Sequence, residues 1–352
     1  MRILIVSDTH PYSTFDVYKG YCDGFESLKV PYETVNLPLL LEANSMERAM
    51  SLVVAKMLIK ENAFTHVLFV AGTMIPRWVL ESKYDKKIGM IATDDPHSSK
   101  MLLDNYDLLD YYFTNEKTLE VLGKNNIVYL PTAVSEASVG RSKVSRSSYY
   151  QSDVCFIGSV YPNRVKPLET VCRWAENNGK KLKIIGPVEA GSLWGETFVP
   201  KDSIIMKYAQ NGVVDNKETL MYYANSKCVI NMDRDVKWSP CYKEENPHLI
   251  NRDISPYSMN PRCYETSICK VPQLYIDPRK EAIDIFGDDI WYGSTDDPAS
   301  IATSLDKIFG TGKRKLNKKM INNKVTSAYK KVVKNHLYTH RAAKIISTFI
   351  KL

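Results

Sequence analysis

The chain has 352 residues, of which 44% are hydrophobic and 25% charged, and its formal net charge is +7 at pH 7. The composition is that of a globular protein, and the chain is long enough for two domains. The absence of a run of about eighteen apolar residues excludes a membrane-spanning helix. The first residues lack the long apolar region and cleavage site of a signal peptide, so we expect a cytoplasmic protein. Its seven cysteines are scattered without a CxxC pair, which favours reduced thiols.

In the first part of the chain, short apolar runs alternate with segments of helical periodicity. Strands are predicted over residues 2–6, 32–37, 66–70, 87–91, 111–114 and 128–130, and helices over 18–28, 46–60 and 76–81. This alternation indicates a parallel sheet covered by helices on both faces. Ligands of such sheets bind beyond the carboxyl ends of the strands.

Residues 135–152 interrupt the pattern, because they are rich in serine, contain Arg141, Lys143 and Arg146, and show no sustained apolar period. We interpret them as an exposed connection. A second alternating series follows, with strands over 154–157, 181–185, 228–232 and 271–276 and helices over 168–177 and 217–225. The sequence therefore predicts two doubly wound, Rossmann-like α/β domains that face a ligand cleft, residues 1–140 and 153–330, with a linker at 141–152.

The segment 258–277 is the most informative stretch, and it is predicted to form a polar loop, a short helix and a buried strand. The loop contains Asn260 and Arg262, and Glu265 lies in the first turn of the helix, where the helix dipole favours a carboxylate. Amides at a helix start and a neighbouring guanidinium can hold a diphosphate, while the acid can accept from sugar hydroxyls. An ordinary helix and strand with an N-terminal acid is an equally good interpretation of this spacing.

The basic excess is concentrated near the end of the chain. Residues 313–352 contain twelve Lys or Arg and no acid, so with a total of +7 the remainder sums to −5. A solvated helix face is the first interpretation of this segment, and binding to an acidic acceptor or surface is the second. His336 and His340 lie four residues apart on an apolar stripe, which favours packing over metal binding.

The order of several short motifs resembles the CgeB-like, group-one glycosyltransferases of the GT-B fold. In the second half these motifs are DVCFIGSVYPNR, VVDNKETLMYYANSKCVINM, MNPRCYETSICKVPQL, IFGDDIWY and HLYTHRA, and in the first half IATDDPH and DYYFTNEKTLEVL. The resemblance implies that residues 1–140 bind the acceptor and residues 153–330 bind a nucleotide sugar. It also implies that a basic C-terminal helix, residues 331–352, packs back on the first domain.

The resemblance also implies roles for individual residues in donor binding. Gly158 and Arg164 match the glycine and the basic residue that contact the diphosphate, and Glu265 matches the acid that accepts from the ribose. Asn260 and Arg262 match a phosphate-facing loop. We expect Arg164 and Glu265 to be partly exposed and replaceable by Ala without loss of the fold. The implied donor-binding set is Gly158, Arg164, Val214, Asn260, Arg262, Tyr264 and Glu265.

The chain departs from the wider group-one pattern at three positions. Tyr257 stands where many members have Glu, Ser159 where they have Arg, and Lys270 where they have Gly. These changes affect the sugar contacts of the pattern, whereas Arg164 and Arg262 can still supply charge-assisted bonds to a diphosphate. The base is implied to lie just before the helix at 217–225, beside Val213 and Val214. Trp194 and Trp238 are further candidates for stacking on a sugar or base.

The acceptor hydroxyl in such a reaction can require a general base, and the candidates are Asp94, Asp95 and His97 at the end of a predicted strand. Asp8 and His10 in the first loop are second choices. A turn and helix cap is the alternative role for the two aspartates, and a structural role is the better expectation for His97. Arginines would stabilise the departing diphosphate without a metal, so no metal and no cofactor are expected.

These observations predict a glycosyltransferase that transfers a sugar from a nucleoside diphosphate sugar, with uridine as the expected base, to a hydroxyl group. The acceptor is left open between a surface polymer, a protein, a small molecule and a modified DNA base. A nucleotide-sugar epimerase is an alternative, because it can use the same two-domain architecture. The other alternative is a non-catalytic relative that serves as a binding or coat protein.

Overall fold

The computed structural model of the protein describes residues 1–9, 14–59, 64–97, 104–141, 147–188, 199–235, 255–311 and 317–351. The chain forms two compact units. The first comprises Met1–Glu136, Leu337–Leu352 and, from the segment Ser239–Ser258, the described residues 255–258; the second comprises Ala137–Trp238 and Met259–His336. Five residues considered above lie outside the described ranges, and these are His10, Lys143, Arg146, Trp194 and Trp238.

The first unit contains a parallel sheet of six strands in the order β2-β1-β3-β4-β5-β6. The strands are β1 (Ile3–Ser7), β2 (Tyr32–Asn36), β3 (His66–Val70), β4 (Lys87–Ile91), β5 (Tyr111–Thr114) and β6 (Ile127–Tyr129). The predicted strands of this half are confirmed, with small shifts at their ends. Strands β1 and β3 consist almost entirely of buried apolar side chains, which is the pattern expected for central parallel strands.

Helices α1 (Phe15–Ser27), α2 (Leu37–Ala43), α3 (Met46–Leu58) and α4 (Arg77–Glu81) lie between these strands in the chain. Local sequence explains where two of them begin. The side chain of Asn36 accepts from the amide of Leu39, and that of Ser45 accepts from the amide of Arg48, so each satisfies an N–H group that has no partner within its helix. Helix α5 (Glu136–Arg141) occupies part of the segment that was interpreted as an exposed connection.

The second unit contains six parallel strands in the order β12-β11-β10-β7-β8-β9. They are β7 (Ser152–Ile157), β8 (Leu182–Gly186), β9 (Ala209–Asn211), β10 (Ser226–Asn231), β11 (Gln273–Ile276) and β12 (Trp291–Gly293). The chain begins in the middle at β7, adds β8 and β9 on one side, and then adds β10 to β12 on the other. The strand order therefore reverses between β7 and β10, and ligands of open parallel sheets bind at such a reversal.

The helices of the second unit are α6 (Pro162–Asn177), α7 (Asn216–Ala224), α8 (Arg262–Ile268), α9 (Lys280–Phe286), α10 (Pro298–Phe309) and α11 (Lys318–Asn335). The core of this unit includes Phe156, Leu168, Ile230, Leu274 and Leu305, all completely buried. Within the described ranges, no helix is both long enough and apolar enough to cross a membrane.

A separate helix, α12 (Tyr338–Phe349), belongs to the first unit. The prediction of one helix over 331–352 is wrong in this respect: α11 ends at Asn335, and Leu337 has an extended backbone with its amide donated to His340 Nδ1. Helix α12 packs closely on α1, because a Cβ atom added at Gly20 would lie 2.0 Å from the ring of Tyr338.

Candidate functional site

The reversal point of the second sheet is marked by Gly158, the residue directly after β7. Its φ angle is +145°, and an added Cβ would lie 2.9 Å from Arg262 Nη2 and 3.5 Å from Arg164 Nη1. Glycine is thus required both by the backbone conformation and by the space that two guanidinium groups occupy. The structure brings three of the predicted donor residues together at the carboxyl end of β7.

Arg164 lies in the first turn of α6 and is only 5% exposed. Its Nη1 donates to the carbonyl of Ser159 at 2.8 Å, and its Nη2 donates to the carbonyl of Met232 at 2.9 Å. Burial, followed by the nearby Arg262 cation, lowers the pKa of Arg164. The expectation of a partly exposed Arg164 is wrong, because the side chain links the residues that follow β7 and β10 instead of pointing into solvent.

Arg262 is the first residue of α8 and is partly exposed. Its Nη1 donates to Asn231 Oδ1 at 3.0 Å and to the carbonyl of Met232 at 3.3 Å. Its backbone amide donates to Asn260 Oδ1 at 3.1 Å, so Asn260 fixes the start of the helix. The guanidinium of Arg262 is therefore held at the end of β10 through Nη1, while its other amino group, Nη2, lies over Gly158.

Asp233 connects the polar groups at this end of the sheet. Its Oδ1 accepts from the amide of Asn260 at 3.1 Å and from Asn260 Nδ2 at 2.6 Å, and its Oδ2 accepts from the hydroxyl of Tyr275. Arg279 Nε lies 3.8 Å from Oδ2, and Arg279 Nη2 donates to the carbonyl of Arg234 at 2.9 Å. The sequence interpretation did not select these three charged residues, although Asp233 and Arg234 directly follow a predicted strand.

We call Arg164, Arg234, Arg262 and Arg279 the arginine cluster. After burial, the charges of Arg262 and Arg234 lower the pKa of Arg164 while Asp233 raises it, and Arg279 joins the cluster through Asp233. Aromatic rings cover part of the cluster: the guanidinium carbon of Arg164 is 5.2 Å, and that of Arg234 5.3 Å, from the ring centroid of Tyr161. Guanidinium groups held in this way form charge-assisted, two-pronged hydrogen bonds to phosphate oxygens.

The remaining predicted donor residues occupy different positions. Glu265 lies one helical turn after Arg262 and is partly exposed. Its charge raises the pKa of buried Tyr223, after the larger effect of burial, whereas Arg262 lowers that pKa, so both charges act on the same hydroxyl. Val214 is partly buried at the carboxyl end of β9, the edge strand next to β8.

Tyr264 was also included in the donor-binding set, but the structure places it in the core. Its side chain is fully buried, its hydroxyl donates to Glu281 Oε1 at 3.3 Å, and its ring stacks on His336 with centroids 5.1 Å apart. The helical rotation that directs Arg262 and Glu265 outward turns Tyr264 inward. Tyr264 therefore packs in the core and is not placed to contact the donor.

In the first unit, the three candidate bases follow β4. Asp94 is exposed and His97 is partly buried, whereas Asp95 is 4% exposed. Asp95 Oδ2 accepts from the hydroxyls of Tyr112 at 3.0 Å and Thr114 at 2.7 Å, so this carboxylate ties the loop to β5. These bonds give Asp95 a structural role that differs from the turn and helix cap offered by the sequence. The catalytic role of these three residues stays a prediction.

The second-choice base, Asp8, follows β1 and is also largely enclosed. Its Oδ1 accepts from the amide of Gly72 at 3.1 Å, and its Oδ2 accepts from the hydroxyl of Thr73 at 2.9 Å and the amide of Met74 at 3.1 Å. Burial raises the pKa of Asp8 against the opposing effect of these bonds. This carboxylate holds the loop that follows β3.

The histidine pair near the chain end has structural contacts. His336 stacks on Tyr264, and His340 Nδ1 accepts from the amide of Leu337 at 3.1 Å. Across the part of the chain that the structure describes, no group of three or more His, Cys, Asp or Glu side chains is arranged to hold a metal ion. That the reaction needs no metal stays a prediction.

Solved structures share this fold over the whole chain. Trehalose-6-phosphate synthase OtsA is 9% identical, with a TM-score of 0.63 and coverage of 100% of this chain and 99% of that chain. Anabaena Alr3699/HepE, solved in complex with UDP-glucose, is 9% identical with a TM-score of 0.60 and full coverage of both chains. AviGT4, a glycosyltransferase involved in avilamycin A biosynthesis, is 13% identical with a TM-score of 0.59 and coverage of 100% and 98%.

At these identities the similarity shows the fold alone, and it confirms the predicted two-domain α/β architecture of the GT-B type. No curated protein matches the sequence significantly. The family described as glycosyl transferase-like matches residues 165–347, which is more than half of the 352-residue chain. The matched region contains Arg262, Asn260, Asp233 and most of the second sheet. The chain therefore belongs to the glycosyl transferase-like family.

Proposed function

We propose that the protein transfers a sugar from a nucleoside diphosphate sugar to a hydroxyl group and that the arginine cluster holds the diphosphate. The observation that carries this proposal is the convergence of Gly158, Arg164 and Arg262 where the second sheet reverses its strand order. Glycine leaves space next to the guanidinium groups, and this space lies where open parallel sheets bind their ligands. The family membership supplies the reaction class.

The two arginines would contribute in different ways. Arg262 is partly exposed and has an amino group over Gly158, so it is placed to contact a phosphate oxygen directly. Arg164 is buried and bound to two carbonyls, so it would add positive charge from behind and keep the ends of β7 and β10 together. Fixed cations next to a departing diphosphate stabilise the charge that develops as the glycosidic bond breaks.

We further propose that the donor carries uridine and that no metal is required. A UDP-glucose complex of a protein with this fold supports uridine, and a cluster of guanidinium groups can supply the positive charge that a metal ion gives elsewhere. Glu265, one turn beyond Arg262, would accept from the ribose hydroxyls, and exposed Asp94 is the base candidate for the acceptor. The order of the motifs supports a CgeB-like member of the family.

Calorimetric titration with UDP, GDP, ADP and TDP, each with and without Mg²⁺, tests the donor site. We expect UDP to bind selectively without the metal. Arg262→Ala should weaken binding about tenfold or more, since a hydrogen bond to a charged group contributes ~1.5–3 kcal/mol. Arg173→Ala is the matched control, because Arg173 is a 61% exposed arginine later in α6 that pairs with Glu169.

Failure of all four diphosphates to bind would overturn the proposed function. Equal affinities of the Arg262 and Arg173 variants would instead remove the arginine cluster from the donor site. Transfer is distinguished from mere binding by incubating the protein with UDP-sugars and measuring UDP release. Slow hydrolysis of one sugar donor, lost in Arg262→Ala, is the result expected of a transferase that lacks its acceptor.

A further inference from the structure

The backbone that leads into the Arg262 loop is held by a buried carboxylate of the first unit. Glu116 is completely buried, and its Oε1 accepts from the amide of Tyr257 at 3.0 Å while its Oε2 accepts from the amide of Ser258 at 3.1 Å. The Ser258 hydroxyl accepts from the amide of Lys117 at 3.2 Å and is 3.3 Å from the hydroxyl of Tyr129. The two oxygens of the Glu116 carboxylate thus accept from two successive backbone amides, one each.

The next two amides of the chain are also bound by carboxylates, but these belong to the second unit. The amide of Met259 donates to Glu281 Oε2 at 2.8 Å, and the amide of Asn260 donates to Asp233 Oδ1 at 3.1 Å. Glu281 is 3% exposed. We call residues 257–260 the strap. Its four successive N–H groups donate to three acidic side chains.

The strap contains one of the points where the chain passes from one unit to the other, since Ser258 belongs to the first unit and Met259 to the second. Arg262 follows two residues after its end, and the Asn260 side chain accepts from the Arg262 amide. Every amide of the strap donates to a carboxylate, and a single residue, Met259, separates the Ser258 amide held by Glu116 from the Asn260 amide held by Asp233.

We propose that Glu116 is a positioning residue for donor binding, because it fixes the strap and thereby the loop that presents Asn260 and Arg262. This inference rests on the proposed function. A purely local role is the competing explanation, since Glu116 Oε1 also accepts from the amide and hydroxyl of Thr118, both at 2.9 Å, at the start of the short helix Lys117–Leu122. The positioning role predicts that loss of the Glu116 carboxylate alters Asn260 and Arg262, whereas the local role predicts no change at these residues.

The test is Glu116→Gln, assayed by UDP titration and by residue-resolved hydrogen exchange of the unliganded protein. Glutamine offers one acceptor oxygen and one amino group, so one of the two strap amides would face a donor. We expect the UDP dissociation constant to rise about tenfold, which corresponds to ~1.4 kcal/mol. Exchange should accelerate at Tyr257 and Ser258 and also at Asn260 and Arg262.

Two control variants separate this role from the local one. Thr118→Val removes a hydrogen bond to the same carboxylate without touching the strap, and Glu120→Gln makes the same charge change at an exposed residue of the same short helix. Both should keep the wild-type affinity for UDP and the wild-type exchange at Asn260 and Arg262. An affinity loss in Thr118→Val equal to that in Glu116→Gln would overturn the positioning role.

The inference is also overturned if exchange in Glu116→Gln accelerates only at Tyr257 and Ser258, or if its UDP affinity equals that of wild type. Failure of wild type to bind any diphosphate refutes the proposed function, whereas the exchange measurement still tests the strap. If Glu116→Gln does not fold, Ser258→Ala removes the hydroxyl that accepts from Lys117. Ser258→Ala should give smaller rises in the UDP dissociation constant and in the exchange rates at Asn260 and Arg262. The inference is refuted if neither quantity rises.

Discussion

Arg164 gives the sharpest test of how the ends of β7 and β10 are held. Its guanidinium is buried and donates to the carbonyls of Ser159 and Met232 at 2.8 and 2.9 Å. Replacement by Ala removes both bonds, so the carbonyl of Met232 keeps the longer bond from Arg262 Nη1 at 3.3 Å, and it also removes the contact of the guanidinium with the Tyr161 ring. Hydrogen bonds from charged groups contribute ~1.5–3 kcal/mol each, so we expect Arg164→Ala to lower the free energy of unfolding by about 3–5 kcal/mol.

Arg262→Ala is expected to behave differently. The side chain is partly exposed, and its removal also relieves repulsion with Arg164, so the two effects oppose each other. We expect a change in unfolding free energy of about 1 kcal/mol or less, together with the loss of UDP affinity described above. Arg164→Lys should lie between the two alanine variants, because an ammonium group retains the charge but does not have the span of a guanidinium fork.

The assay is urea unfolding followed by tryptophan fluorescence, since Trp174 and Trp291 are buried in the second unit. Equal stabilities of Arg164→Ala and wild type would refute the reasoning, as would equal losses in Arg164→Ala and Arg262→Ala. The expectation from the sequence was that an alanine at 164 leaves the fold intact. The two carbonyl contacts are the physical reason for reversing it.

Two further predictions concern the space beside Gly158 and the reactivity of buried cysteine thiols. Gly158→Ala would place a Cβ 2.9 Å from Arg262 Nη2 at a φ of +145°. Calorimetry should therefore show strongly reduced UDP binding, and urea unfolding should show a free energy of unfolding lower by about 1–3 kcal/mol. Wild-type affinity for UDP in this variant would contradict the proposed site. Burial raises the pKa of Cys155 and Cys172 to about 12, so at pH 8 these two thiols should react with a disulfide reagent only after unfolding in urea. Mass mapping that finds them rapidly labelled in the native protein would contradict their enclosure.

The parts of the fold that depend on local pattern could be predicted from the sequence. Buried parallel strands such as β1 and β3 are nearly continuous apolar runs, so their positions follow from the local hydrophobic pattern. The placement of Gly158 and Arg262 near one another follows from the rule that parallel strands end at one edge of a sheet. Strands β6, β9 and β12 have three residues each, and so short a run gives such a weak signal that only β6 was predicted.

Other features depend on contacts between residues far apart in the chain. Arg164 and Met232 are 68 positions apart, and Tyr264 binds Glu281 across 17 positions, so the burial of these side chains is not encoded in their own neighbourhoods. The same holds for Glu116, whose bonds to the strap cross 141 and 142 positions. The sequence spacing identified the Arg262 loop but contained no sign of the acid that holds the preceding backbone.

The association of α12 with α1 means that the first unit is assembled from segments separated by the whole of the second. Phe349 packs against Phe113 with ring centroids 5.9 Å apart, and Tyr338 lies against Tyr21 at 5.0 Å. During synthesis, the apolar face that these residues cover stays open until more than three hundred residues have been made. The second unit can complete its core earlier, so the order of completion in the cell is the reverse of the order in the sequence.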